Sequence, residues 1–127
     1  MADILVVEDD LDISAALCAL LRAEGHHVVA AFNGTEALAR LRAGERPGII
    51  LLDLTMPTMS GSEFRAAQLR DPDLAGIPVV VLSADHRIRE KAMALGAAAA
   101  FGKPFDVALL LDTILRMADH LPDAVQA

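Results

Sequence analysis

The chain has no tryptophan, no tyrosine and only four phenylalanines, so it lacks the ring surface on which single-stranded nucleic acid is usually stacked. It is also short of positive charge: 11 Lys and Arg stand against 18 Asp and Glu, a formal net charge of −7. Such a field repels phosphate backbones and anionic lipid surfaces and favours cations or basic partner patches. No nucleic-acid partner and no membrane partner is therefore expected. Cys18 is the single cysteine, which excludes an internal disulfide and a cysteine-based metal site and suits an intracellular setting. Its place beside Leu17, Leu20 and Leu21 marks it as a small buried hydrophobe. No apolar run reaches the roughly 18–20 residues of a membrane-spanning helix, and no basic stretch leads into an apolar one at the N-terminus. The expected location is cytoplasmic.

What the chain does have is alternation. Its 127 residues suffice for one hydrophobic core, and 24 alanines suit close-packed helices. Short apolar runs near 3–7, 27–32, 48–53, 77–82 and 98–102 read as strands, separated by helical periodicity near 11–24, 34–43, 60–70, 86–95 and 105–120. Gly25, Gly44 and Gly96 fall where helix C-terminal caps belong, and Asn33, Ser60 and Asp85 read as N-caps. Pro72 and Pro78 keep the 71–77 connection non-helical. Strand and helix taking turns five times predicts an α/β fold, a doubly wound five-stranded parallel sheet of order 2-1-3-4-5 with flavodoxin-like topology. Residues 1–120 form the expected folded unit and 121–127 a frayed tail.

In that topology the first and third strands are neighbours, and their carboxyl ends bring Glu8, Asp9 and Asp53 to the point where the winding reverses. Three carboxylates packed closely repel one another, and a divalent cation resolves the conflict. Oxygen-only ligation selects a hard metal, and a site leaving positions for water and phosphate suits Mg²⁺. Asp9 and Asp53 are assigned as carboxylate ligands and the Thr55 main-chain carbonyl as a third. Glu8 is assigned a more distant, water-mediated contact. Ser83 ends the fourth strand and Lys103 follows the fifth, so a hydroxyl and an ammonium are available to hold phosphoryl oxygens on Asp53. Ala84 leaves room for an incoming donor. Carboxylate nucleophile, metal, hydroxyl and lysine together describe acyl-phosphate chemistry.

These motifs, Val-Val-Glu8-Asp9-Asp10, Leu-Leu-Asp53-Leu-Thr-Met-Pro57, Val-Leu-Ser83-Ala84 and Lys103-Pro104-Phe105, occur in one order at successive strand ends. Together they resemble the receiver domain of two-component response regulators across residues 3–120, in its single-domain form. The resemblance implies that Asp53 takes a phosphoryl group from a histidine kinase or a histidine phosphotransfer protein, that Mg²⁺ is required, and that the Lys103–Pro104 bond is cis. It also implies that Thr55 and Asp85 border the path of the hydrolytic water and tune the lifetime of the acyl phosphate. One position departs from the family pattern: the Tyr or Phe expected three residues before the lysine is Ala100. The neighbouring Phe101 should face the other side of its strand. Output is then expected through the Ser83 loop and the 86–95 helix, or as onward phosphotransfer, with a protein target or a second copy meeting the 86–95, 98–102 and 105–120 face. The chain is read as a signalling phosphoacceptor rather than an enzyme.

Asp10 and Asp12 can simply complement the positive end of the first helix. A hydrolase of the aspartyl-phosphate type needs an aspartate two residues after the nucleophile, where this chain has Thr55. A degenerate receiver acting as an adaptor would retain the fold without the chemistry, and a flavin binder would need a Ser/Thr-rich loop in place of the acidic triplet after the first strand. Met56 and Met59 are expected to pack over the loop. Arg87, Arg89, Glu90 and Lys91 are expected to face solvent. His26, His27, His86 and His120 lack ligand spacing.

Overall fold

Runs such as Ile4-Leu5-Val6-Val7 and Ile49-Ile50-Leu51-Leu52 carry no polar alternation, which suits strands covered on both faces. The computed structural model describes residues 2–56 and 59–120; Pro57 and the expected tail 121–127 lie outside them. Among the described residues, strands β1 (Asp3–Val7), β2 (His27–Ala31), β3 (Ile49–Asp53), β4 (Val79–Ser83) and β5 (Ala99–Gly102) take turns with helices α1 (Leu11–Ala23), α2 (Gly34–Arg42), α3 (Gly61–Leu69), α4 (Ile88–Ala94) and α5 (Val107–His120). The strands pair in parallel in the order β2-β1-β3-β4-β5, as expected.

Side-chain alternation splits the interior into two cores. Leu5, Val7, Ile50, Leu52 and Val81 meet Leu38 and Leu41 of α2, Phe64 of α3 and Ala92 of α4. Ile4, Val6, Leu51 and Leu82 meet Leu17, Cys18 and Leu21 of α1 and Leu110 and Ile114 of α5 on the other side. Ala100 packs toward the first core and Phe101 toward the second, so that ring is on the face opposite the alanine. Met56 is part of the first core and Met59 packs against it.

Helix ends follow local chemistry. Asp10 caps α1, accepting the Asp12 and Ile13 N–H groups at 3.0 and 3.1 Å. Asn33 caps α2 and Ser60 caps α3, the latter in a reciprocal box with Glu63. Gly25, Gly44 and Gly96 adopt positive φ after α1, α2 and α4. The expectation that Asp85 caps α4 is corrected. Its Oδ1 accepts the Arg87 N–H at 2.7 Å and its carbonyl accepts the Ile88 N–H at 3.2 Å. This Asx turn precedes the helix, which starts at Ile88 rather than 86. Asp106 likewise accepts the Leu109 N–H through its side chain and the Leu110 N–H through its carbonyl, delaying α5 from 105 to 107. The fourth strand starts two residues later than expected and ends one later: Ile77 is engaged by a turn to Leu74 and by Gln68, and Ser83 joins the ladder through Lys103 N–H.

The start of α3 docks closely on the end of β3. A Cβ on Gly61 would stand 2.5 Å from the Asp53 carbonyl oxygen and 2.7 Å from the Leu54 Cα, so only glycine permits this approach.

Candidate functional site

Parallel pairing of β1 with β3 in the register Val7↔Leu52 brings the residues just beyond β1 beside Asp53. Glu8 and Asp53 are buried, and one carboxylate oxygen from each of Glu8, Asp9 and Asp53 lies within 4.8 Å of the others. Lys103 enters from the far end of β5, its Nζ 2.9 Å from Glu8 Oε2 and 3.5 Å from Asp53 Oδ2. The lysine is therefore held more closely by Glu8 than by Asp53. The Lys103–Pro104 peptide is cis, as the resemblance implied.

Asp53 Oδ1 accepts the Thr55 N–H at 3.1 Å, which fixes the plane of the carboxylate. Burial pushes the Asp53 carboxyl above its ordinary value; the Thr55 N–H and the Lys103 charge oppose the rise without cancelling it. Glu8 is raised for the same reason, against the pull of Lys103. Burial alone would lower Lys103, but its hydrogen bond to Glu8 and the charge of Asp53 carry it upward. Three carboxylates around one ammonium leave the pocket rich in negative charge. An oxygen-only donor set of this kind fits a hard divalent cation.

Ser83 is buried at the end of β4, and its Oγ accepts the Asp85 N–H at 3.1 Å. A serine hydroxyl that accepts there still has its own proton to donate. Thr55 and Ala84 are exposed, and Ala100 is half-buried. The structure thus brings Glu8, Asp9, Asp53, Thr55 N–H and Lys103 into one group, while Ser83 at the end of β4 is paired with Asp85 of the loop that follows. Sequence reasoning missed the next link. Lys91, assigned to a solvent-facing stripe, places its Nζ 2.6 Å from Asp85 Oδ2. A separation of six residues spanning a loop and a helix start matches no helical pair spacing, so periodicity carries no signal for it.

The family model of the response regulator receiver domain matches residues 4–115. Protein PilH of Pseudomonas aeruginosa is 33% identical over 116 residues, covering 90% of this chain and 95% of the relative. Among solved structures, chemotaxis protein CheY4 of Vibrio cholerae superposes with a TM-score of 0.82 at 31% identity, covering 92% of this chain and 98% of the other. Response regulator protein TrrA of Thermotoga maritima, solved in complex with Mg²⁺–BeF, gives 0.80 at 27% identity, covering 92% and 99%. The chain belongs to the response regulator receiver domain family. It is a receiver module of two-component signalling, a phosphoacceptor class rather than a conventional enzyme class. No helix among the described residues is long and apolar enough to cross a membrane.

Proposed function

We propose that Asp53 accepts a phosphoryl group from the phosphohistidine of a histidine kinase or histidine phosphotransfer protein, within a receiver unit spanning residues 1–120. A carboxylate oxygen of Asp53 bonds to phosphorus as the phosphorus–nitrogen bond breaks, and the imidazole leaves with the electron pair. The observation that carries this reading is the convergence of Glu8, Asp9, Asp53 and Lys103 at the carboxyl ends of β1, β3 and β5. Asp9, Asp53 and the Thr55 main-chain carbonyl would hold Mg²⁺, with Glu8 contributing through water. Bound there, the ion supplies positive charge against the carboxylates and the incoming phosphoryl oxygens.

Lys103 is the mobile member of the set. On transfer its ammonium exchanges the 2.9 Å contact with Glu8 for a phosphoryl oxygen, and the Ser83 hydroxyl donates to another. Ala84 adds no bulk beside that oxygen. Without a ring at position 100, output runs through the Ser83–Asp85 loop to α4, toward a protein target or a second copy on the α4–β5–α5 face, or the phosphoryl group passes onward. The chain works in the cytoplasm, turns over no substrate, and beyond accepting phosphate catalyses only its own slow dephosphorylation. Incubation with acetyl phosphate and Mg²⁺ should add one phosphoryl group, read by intact mass. Asp53→Asn should add none, and labelling of that variant to the wild-type level would refute the assignment.

A further inference from the structure

Asp85 is fixed at three points. Its N–H donates to Ser83 Oγ at 3.1 Å, its Oδ1 accepts the Arg87 N–H at 2.7 Å, and its Oδ2 accepts from Lys91 Nζ at 2.6 Å. Lys91 rides on α4, and that helix is anchored at its other end by Arg65. The Arg65 Nε donates to the Leu95 carbonyl at 3.0 Å and Nη2 to the Gly96 carbonyl at 3.2 Å. Glu90, beside Lys91 in the sequence, is engaged by Arg87 at 3.1 Å. His86 Nδ1 stands 3.9 Å from Asp85 Oδ1, too far for a hydrogen bond. Lys91 is thus the side chain that decides where the second Asp85 oxygen points.

We infer that Lys91 is a positioning residue that sets the lifetime of phosphorylated Asp53 by holding the Asp85 carboxylate away from the attacking water. The inference rests on Asp53 being the acceptor. In hydrolysis the water oxygen bonds to phosphorus, the bond from phosphorus to the Asp53 oxygen breaks with its electron pair returning to the carboxylate, and the water proton leaves on inorganic phosphate. Asp85 reaches the Ser83 Oγ through its backbone N–H, and its carboxylate, once released, can turn to accept a hydrogen bond from that water and orient it. Clamped by Lys91 and the Arg87 N–H, it has both oxygens engaged and its orientation fixed, and Lys91 holds the carboxyl below the usual carboxylate range. Release of the clamp frees the group without touching Asp53, Lys103 or the carboxylate cluster. Because the clamp is an exposed ion pair, its release should accelerate decay by roughly two- to fivefold.

The test measures decay of the acyl phosphate after labelling with acetyl phosphate and Mg²⁺ and removal of the donor. Lys91→Met should shorten the lifetime by that factor, Lys91→Arg should restore it, and Asp85→Asn combined with Lys91→Met should cancel the acceleration. Raising the salt concentration should shorten the wild-type lifetime toward that of Lys91→Met while leaving the variant almost unchanged, since screening weakens only an intact pair. Two results overturn the inference: a Lys91→Met lifetime equal to or longer than wild type, or a double variant decaying as fast as Lys91→Met. Failure of the wild-type protein to take up label at all would instead strike the acceptor assignment, and the role of Lys91 would fall with it.

Discussion

Two buried polar groups in this protein differ in what their partners leave open. Around Asp53, three carboxylates share one ammonium, and burial leaves Asp53 and Glu8 holding their protons more tightly than usual. Arg65 is also buried, yet none of its hydrogen bonds goes to a carboxylate. Its three donors reach the Leu95 and Gly96 carbonyls and Gln68 Oε1, and Gln68 Nε2 passes on to the Leu74 and Ile77 carbonyls. The second network is complete and joins α3 to the ends of α4 and of the 71–77 connection. The first is left with surplus negative charge that a cation and a phosphoryl group can use. Carboxylate oxygens left open in a buried pocket, against a guanidinium whose nitrogens are all taken by neutral oxygens, thus separate reactive chemistry from structural stapling.

The sharpest way to break this contrast is Asp53→Asn, which should abolish phosphoryl uptake while leaving the fold intact. In Mg²⁺-free solution it should also change the pH dependence of stability. Asp53 and Glu8 are raised above their ordinary values of 3.8 and 4.5. The folded protein therefore binds more protons than the unfolded chain between those values and the raised ones. The resulting stability is fully present below the ordinary values and lost as pH rises through the folded ones. His26 acts oppositely: its ring accepts the Ala2 N–H at 3.0 Å and burial lowers it from 6.5, so its contribution is present above 6.5 and lost as pH falls. Both proteins contain His26. In urea unfolding at successive pH values, wild type should gain stability relative to Asp53→Asn as pH falls through the raised Asp53 value toward 3.8. A pH-independent difference would mean that the pocket is not strained by its own charge.

Next in size, Arg65→Met should keep phosphoryl uptake yet cost about 1–3 kcal/mol in urea unfolding, because the buried Gln68 amide oxygen and the part-buried carbonyls at 95 and 96 lose their donor. Loss of uptake with unchanged stability would reverse the two roles. Ser60→Ala removes one half of the α3 capping box and should cost about 1 kcal/mol, which thermal unfolding would register. The smallest effect belongs to charge exposed to water. Arg87 and Glu90 side chains are 64% and 72% exposed, so Arg87→Ala should shift the unfolding free energy by less than about 0.5 kcal/mol. A larger loss would place that pair with the buried networks.

The sheet order was legible because five apolar runs of strand length leave few right-handed arrangements. Placement of the carboxylates then followed from strand ends alone. Boundaries were less legible wherever an aspartate could close a turn just ahead of a helix, as at Asp85 and Asp106, since the same side chain serves both purposes. Arg65 and Gln68 gave no sequence signal, because their partners come from tertiary approach alone: the 95–96 turn for Arg65 and the 71–77 connection for Gln68. Lys91 does face solvent, as expected, but its partner went unseen because it lies on a loop that periodicity does not describe.

The bare α-carbon of Gly61 ties the acceptor to a particular piece of the scaffold. With no side chain between the Asp53 carbonyl and the first turn of α3, the two backbones bear directly on one another. A shift of the strand tip must therefore be transmitted into that helix undamped, through contact rather than through any movable group.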